Sequence, residues 1–138
     1  MKNKQKKNKK TEIYFQNSFE IKKNPKGDVY KILSNKSKIY KGFGELYITT
    51  LNKDSSKGWN YHKRMTLNLF VIKGKVRFFL KKNNELVKKT LSENKNDILT
   101  IKPKVWVKIV NLAGEKSKII NFANLKHNQN EIIKKEIR

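Results

Sequence analysis

The feature that most constrains this chain is a recurrence of short β-branched and aromatic runs, closed by turn signals about every 8 to 12 residues. "EIYF" (12 to 15), "VYKIL" (29 to 33), "GELYITT" (44 to 50), "DILTI" (97 to 101), "VWVKIV" (105 to 110) and "KIINFA" (118 to 123) are all extended in character. Side chains of this kind suit a pleated, half-buried surface. "LNLFVIKGKVRFFL" (67 to 80) predicts two strands reversing at Gly74, and "NPKGD" (24 to 28) is a turn punctuated by Pro25 and Gly27. No long helical pattern alternates with these runs, so nothing supplies the crossovers of a parallel sheet. The chain is therefore expected to be all-β, an antiparallel sandwich or barrel. Only "NEIIKKEIR" (130 to 138) has helical spacing, with Ile133 and Ile137 at i and i+4, and it predicts a short C-terminal helix.

With 138 residues the chain is the size of one domain and long enough to bury a core. The opening "MKNKQKKNKK" has no apolar residue after Met1 and is expected to be a basic, disordered arm over 1 to 10. The single domain then occupies 11 to 138. There are no cysteines, which excludes disulfides and thiolate metal sites and fits a cytoplasmic protein. The apolar runs are too short to cross a bilayer, and no signal peptide is evident.

A formal net charge of +23 points first to nucleic acid. Its make-up argues against that partner. Of 34 basic residues only Arg64, Arg77 and Arg138 are arginine, and the lysines are spread over nearly every segment. Base readers use arginine forks and interleave aromatics with charge. Abundant Lys, Asn and Ile instead match a genome rich in A/T codons.

"KGWNYHKRMTLNLF" (57 to 70) carries one of only two histidines, His62; the other is His127. Residues i and i+2 of a strand share a face. Asn60, His62 and Arg64 are therefore expected on one face, with Tyr61 on the other, toward core or interface.

"NPKGDVYKIL", "GELYITT", "KGWNYHKRMTLNLFVIKGKVRFFL", "LSENKNDILTIKPKVWVKIVNL" and "FANLKHNQNEI" occur in that order. This series resembles the RmlC-type cupins, dTDP-4-dehydrorhamnose 3,5-epimerase and its shorter relatives in surface-sugar biosynthesis, over roughly residues 12 to 132. The resemblance implies a double-stranded β-helix (a jelly-roll barrel), a homodimer, and a nucleotide-sugar substrate inside the barrel. It implies proton abstraction next to the ketone of a nucleotide-linked 4-keto-6-deoxy sugar, with no cofactor and no metal.

The family's base is a histidine in a G-x-H motif, and a tyrosine serves as its acid. That histidine position is Asn60 here, and a neutral amide is no general base. His62 is the candidate base at a shifted position, its alternative being a structural histidine hydrogen-bonded in the barrel. Tyr47, with Glu45 two residues earlier on the same face, is the candidate acid, although Tyr14, Tyr30, Tyr40 and Tyr61 also exist. For the diphosphate, the family's arginine in a D-x-R-G turn matches Lys26, and its basic position before G-x-H matches Lys57. Lysine supplies a point charge without the bidentate fork. Arg64 and Asn60 complete the expected binding set.

Metal-binding cupins use H-x-H, a Glu and a later His. Here those places fall on Asn60, "TLNL" (66 to 69) and "VWVK" (105 to 108), and one imidazole does not hold a transition metal. Trp59 and Trp106 are expected in the core or a dimer interface, and His127 in a capping or dimer role. The expected function is an epimerase of cell-surface polysaccharide synthesis. A 3,4-ketoisomerase, a non-catalytic nucleotide-sugar-binding cupin and a basic nucleic-acid binder are the competing readings.

Overall fold

A computed structural model describes residues 12–135. The expected basic arm over 1 to 10 lies outside the described residues. Twelve strands follow in order: β1 (Tyr14–Ser18), β2 (Glu20–Lys22), β3 (Val29–Lys31), β4 (Glu45–Leu51), β5 (Ser56–His62) and β6 (Leu67–Lys73), then β7 (Lys75–Lys82), β8 (Glu85–Ser92), β9 (Asp97–Ile101), β10 (Trp106–Asn111), β11 (Ser117–Ala123) and β12 (Ile132–Lys134). One five-stranded sheet runs β1-β9-β6-β11-β4 and the other β12-β5-β10-β7-β8, with β2-β3 as a separate hairpin. Every pairing is antiparallel. This is the expected jelly-roll barrel.

The core lies between the two five-stranded sheets. Alternate residues face inward, among them Leu67, Leu69 and Val71 of β6, Val76, Phe78 and Leu80 of β7, and Val87 and Leu91 of β8. Each such side chain contributes about 1.5–3 kcal/mol by leaving water. β6 carries consecutive apolar residues at Leu69, Phe70 and Val71 because both of its faces are covered there. Its outward Phe70 packs with Phe19, Ile39 and Ile98, and the β2-β3 hairpin supplies Ile21 and Tyr30 to the same cluster. The Phe19 and Phe70 rings meet edge to face at 5.2 Å.

Gly74 reverses β6 into β7, as its spacing predicts. Its φ is +89°, and a β-carbon there would lie 2.0 Å from Ser117 Oγ, so no other residue fits. Asn111, at the end of β10, is the chief polar tie in the interior. Its amide donates to the carbonyls of Leu51, Asn52 and Glu115, while its oxygen accepts from Ala113 N–H and Ser117 O–H.

The expected C-terminal helix is not formed over the described residues of its segment. Residues 132–134 are β12, paired with β5 through Ile132↔His62, Ile133↔Tyr61 and Lys134↔Asn60. Trp59 N–H donates to Lys135 C=O and Lys135 N–H to Trp59 C=O, both at 2.9 Å. A nine-residue helix is marginal alone in water. The open edge of β5 offers ladder hydrogen bonds instead, and the adjacent β-branched Ile132 and Ile133 suit them. The sequence patterning marked neither the three-residue β2 nor β8, whose "ELVKKTLS" shows too few apolar residues outside its inward positions.

Candidate active site

A cavity of about 440 Å³ opens into the barrel between the two sheets. Its floor is apolar, made by Leu67, Leu69, Phe78, Val107, Ile109 and Ile119. Its polar groups come from the walls: Glu45, Tyr47 and Thr49 on β4; Lys57, Asn60 and His62 on β5; Asn121 on β11; and Lys134 on β12. His127, from the segment after β11, completes the rim. A few polar groups over an apolar floor is the usual build of a small-molecule site.

Strand alternation places Glu45, Tyr47 and Thr49 on the inner face of β4, and Leu46, Ile48 and Thr50 on its outer face. The β5 wall needs one irregularity. Val107 of β10 pairs with Asn60, and its neighbour Lys108 pairs with Gly58, so Trp59 has no partner on β10. This bulge adds one residue and brings Lys57 to the cavity beside Asn60, although their spacing is odd. Gly58 permits it: its φ is +126°, and a β-carbon would lie 2.7 Å from Val107 O. Tyr61 turns to the opposite face and packs on Trp106, ring centroids 5.1 Å apart.

His62 is the enclosed titratable group of the cavity, at 8% exposure. Its Nδ1 is fully buried and has no hydrogen-bond partner. That leaves Nε2 as the nitrogen through which the ring reaches the cavity it lines. A histidine hydrogen-bonded into the barrel, the structural alternative, would have that nitrogen paired. Burial lowers its pKa from the ordinary value, His127 adds to the lowering, and Glu131 opposes it. The ring is thus neutral at pH 7, the state a base requires. Tyr47 is shifted the other way: burial raises its phenol and the Glu45 charge adds to that. It stays protonated and able to donate. Asn121 Nδ2 donates to Thr49 Oγ1 at 3.0 Å beside it.

Of the expected site residues, Glu45, Tyr47, Lys57, Asn60 and His62 converge on this cavity. Arg64 and Lys26 do not line it. β5 ends at His62, so the alternation that carried the Arg64 expectation stops there. Arg64 turns outward, its side chain 78% exposed, and pairs with Glu131 at 3.3 Å. Lys26 sits in an exposed turn, its N–H bonded to Asn24 Oδ1 at 2.9 Å. His127, expected in a capping role, lines the rim, and its main-chain N–H donates to Glu45 Oε1 at 2.9 Å. Sequence reading missed Lys134, because it placed that segment in a helix. It missed Thr49, Asn121 and Glu131, which carry no motif. Among the described residues no three His, Cys, Asp or Glu side chains cluster as a metal site.

Two antiparallel five-stranded sheets closed around a cavity that bears His62 and His127 define a cupin-type barrel. The chain belongs to the family described as FdtA: WxcM-like, C-terminal, whose model matches residues 12–137. Comparison with curated proteins yields no match. Among solved structures the chain resembles a dTDP sugar isomerase from Desulfovibrio desulfuricans (TM-score 0.84, 21% identity, covering 91% of this chain and 86% of that one). It also resembles QdtA, a sugar 3,4-ketoisomerase from Thermoanaerobacterium thermosaccharolyticum in complex with TDP (TM-score 0.77, 20% identity, 87% and 86% covered). RmlC of Legionella pneumophila, a dTDP-6-deoxy-D-glucose-3,5-epimerase, shares the fold at 11% identity (TM-score 0.76, 88% and 71% covered).

Proposed function

We propose that the protein isomerises a nucleotide-linked 4-keto-6-deoxy sugar by moving protons on the carbons next to its ketone. One observation carries this reading. A buried, neutral imidazole whose sealed Nδ1 has no partner among the described residues lines a ligand-sized cavity that also holds a protonated phenol.

The chemistry balances with these groups alone. His62 Nε2 takes the proton from the carbon next to the ketone. The C–H electron pair becomes the carbon–carbon double bond of an enolate, and the carbonyl electrons move to oxygen. Hydrogen-bond donors at that oxygen stabilise the charge, and we assign this to the Asn60 amide, which lines the same cavity as His62. A proton then returns to carbon and the ketone re-forms. Tyr47 stands on β4, in the sheet facing that of β5, so a proton delivered from it arrives from the opposite wall. Opposed donor and acceptor are what inversion at carbon requires, and they favour epimerisation.

A 3,4-ketoisomerase is the second reading. A single enclosed imidazole suits one proton moved between adjacent carbons, and the QdtA structure is of such an enzyme. The diphosphate is assigned to Lys57 and Lys134. Both line the cavity, and both also line an adjoining cleft with Trp59 and Lys135. The reading extends to a cytoplasmic role in cell-surface polysaccharide synthesis and to a homodimer. Leu46 and Ile48 on β4 and Phe43 just before it support the dimer: they are 57% to 63% exposed, and β4 ends its sheet.

Incubation with dTDP-4-keto-6-deoxyglucose in deuterium oxide, followed by NMR, tests the proposal. Deuterium at C3 or C5 with the ketone kept at C4 is the epimerase result. A ketone moved to C3 is the ketoisomerase result. Binding without deuterium uptake would overturn the enzymatic reading and leave a nucleotide-sugar-binding barrel, the outcome Asn60 favours.

A further inference from the structure

We infer that Glu131 is the positioning residue of His62: a buried carboxylate that grips the chain beside the histidine and supplies the counter-charge for its protonated ring. This deepens the proposed reaction and rests on it only for its purpose. The geometry stands independently.

Glu131 is 3% exposed, rare for a carboxylate. It stands just before β12, where the next residue, Ile132, pairs with His62. Its main-chain carbonyl accepts from Lys63 N–H at 2.9 Å. Its carboxylate accepts from Arg64 N–H, from Met65 N–H at 3.0 Å and from Arg64 Nε at 3.3 Å. The three residues directly after His62 are thus bound to one side chain and its backbone. Desolvation alone would raise the Glu131 carboxyl. The hydrogen bonds from Arg64 and Met65, with the Arg64 charge, outweigh it and hold the group ionised.

A glutamine oxygen could accept the same backbone hydrogen bonds, so holding the turn does not require a charge. The charge has a second use at His62. As a base through Nε2, the ring carries its resting proton on Nδ1, which has no acceptor. After abstraction it becomes a buried cation with that N–H still unpaired, so its charge is stabilised through space. Glu131 and Glu45 supply negative charge near it, while His127, Lys57 and Lys134 supply positive or titratable groups, and Tyr47 remains neutral. Lys104 donates its main-chain N–H to the His62 carbonyl at 2.7 Å. Of the two acids, Glu131 is the buried one, and its field is the less screened by water. Arg64, mostly in solvent, offsets it only in part.

The test is an NMR titration of the His62 ring in the substrate-free full chain, with His127 as internal reference, in wild type, Glu131→Gln and Arg64→Gln. Both variants break the same ion pair. Electrostatic positioning predicts opposite shifts: the His62 midpoint falls in Glu131→Gln and rises in Arg64→Gln. The acidic limb of the deuterium-exchange rate should move the same way. A folded Glu131→Gln protein with an unmoved midpoint, or shifts of the same sign, would overturn the inference. If Glu131→Gln does not fold, Arg64→Gln decides alone, and an unmoved or lowered midpoint overturns it. The titration needs no substrate, so its failure and the failure of the isomerase reading are separately visible.

Discussion

Replacing His62 by leucine should raise stability while sharply slowing deuterium exchange. Nδ1 is buried and unpaired, and a polar atom left so costs about 1–3 kcal/mol. Leucine removes that cost, and its apolar side chain meets a floor of Leu67, Leu69 and Ile119. A gain of about 1 kcal/mol corresponds to roughly 2–5 °C in Tm for a chain of this size. The gain should depend on pH. The folded pKa of His62 is lowered, so between that value and the ordinary one near 6.5 the unfolded chain binds more protons than the folded one. Wild-type stability from this group is therefore full above about pH 6.5 and declines as pH falls through the window below it. Leucine has no such loss, and its advantage should be larger at pH 5.5 than at pH 8. Loss of a general base should slow exchange about 10²–10⁴-fold, or roughly 3–5 kcal/mol of barrier. Urea unfolding at both pH values and NMR of the exchanging sugar measure the two sides. A His62→Leu protein that is less stable than wild type at both pH values, or that exchanges at the wild-type rate, would refute the reasoning.

Tyr47→Phe removes the phenol from the β4 wall and should lower kcat about 10²-fold with KM little changed, read from steady-state rates on the 4-keto sugar. Asn111→Ala leaves the carbonyls of Leu51, Asn52 and Glu115 without their donor and should cost roughly 2–4 kcal/mol, seen as a lower urea midpoint at unchanged slope. Ile48→Glu places a charge on the exposed apolar face of β4 and should turn the proposed dimer into a monomer by light scattering, without loss of folded structure by circular dichroism; a wild-type monomer would remove the dimer from the reading.

Much of this protein was legible in its sequence because a strand repeats every two residues. That period marks β4, β6, β7, β9, β10 and β11 and the reversal at Gly74, and it puts Tyr47 beside Glu45 and His62 beside Asn60 on shared faces. Local chemistry also fixed which imidazole sits in the signature strand. What lay beyond reach depended on contacts distant in sequence. The tail "NEIIKKEIR" has a helical spacing of its own, and only the open edge of β5 makes it a strand. Arg64 obeys alternation on paper, yet β5 ends at His62 and Glu131, 67 residues away, draws the arginine outward. Lys57 and Asn60 share a wall only because β10 forces a bulge at Trp59. The sequence by itself determined the strand pattern of the barrel and the shared faces of the candidate groups, Tyr47 with Glu45 and His62 with Asn60, since both follow from short-range periodicity. Tertiary structure decided which cations face the cavity, which nitrogen of His62 is sealed and which carboxylate stands behind it, because each is set by packing between strands that the chain brings together only on folding.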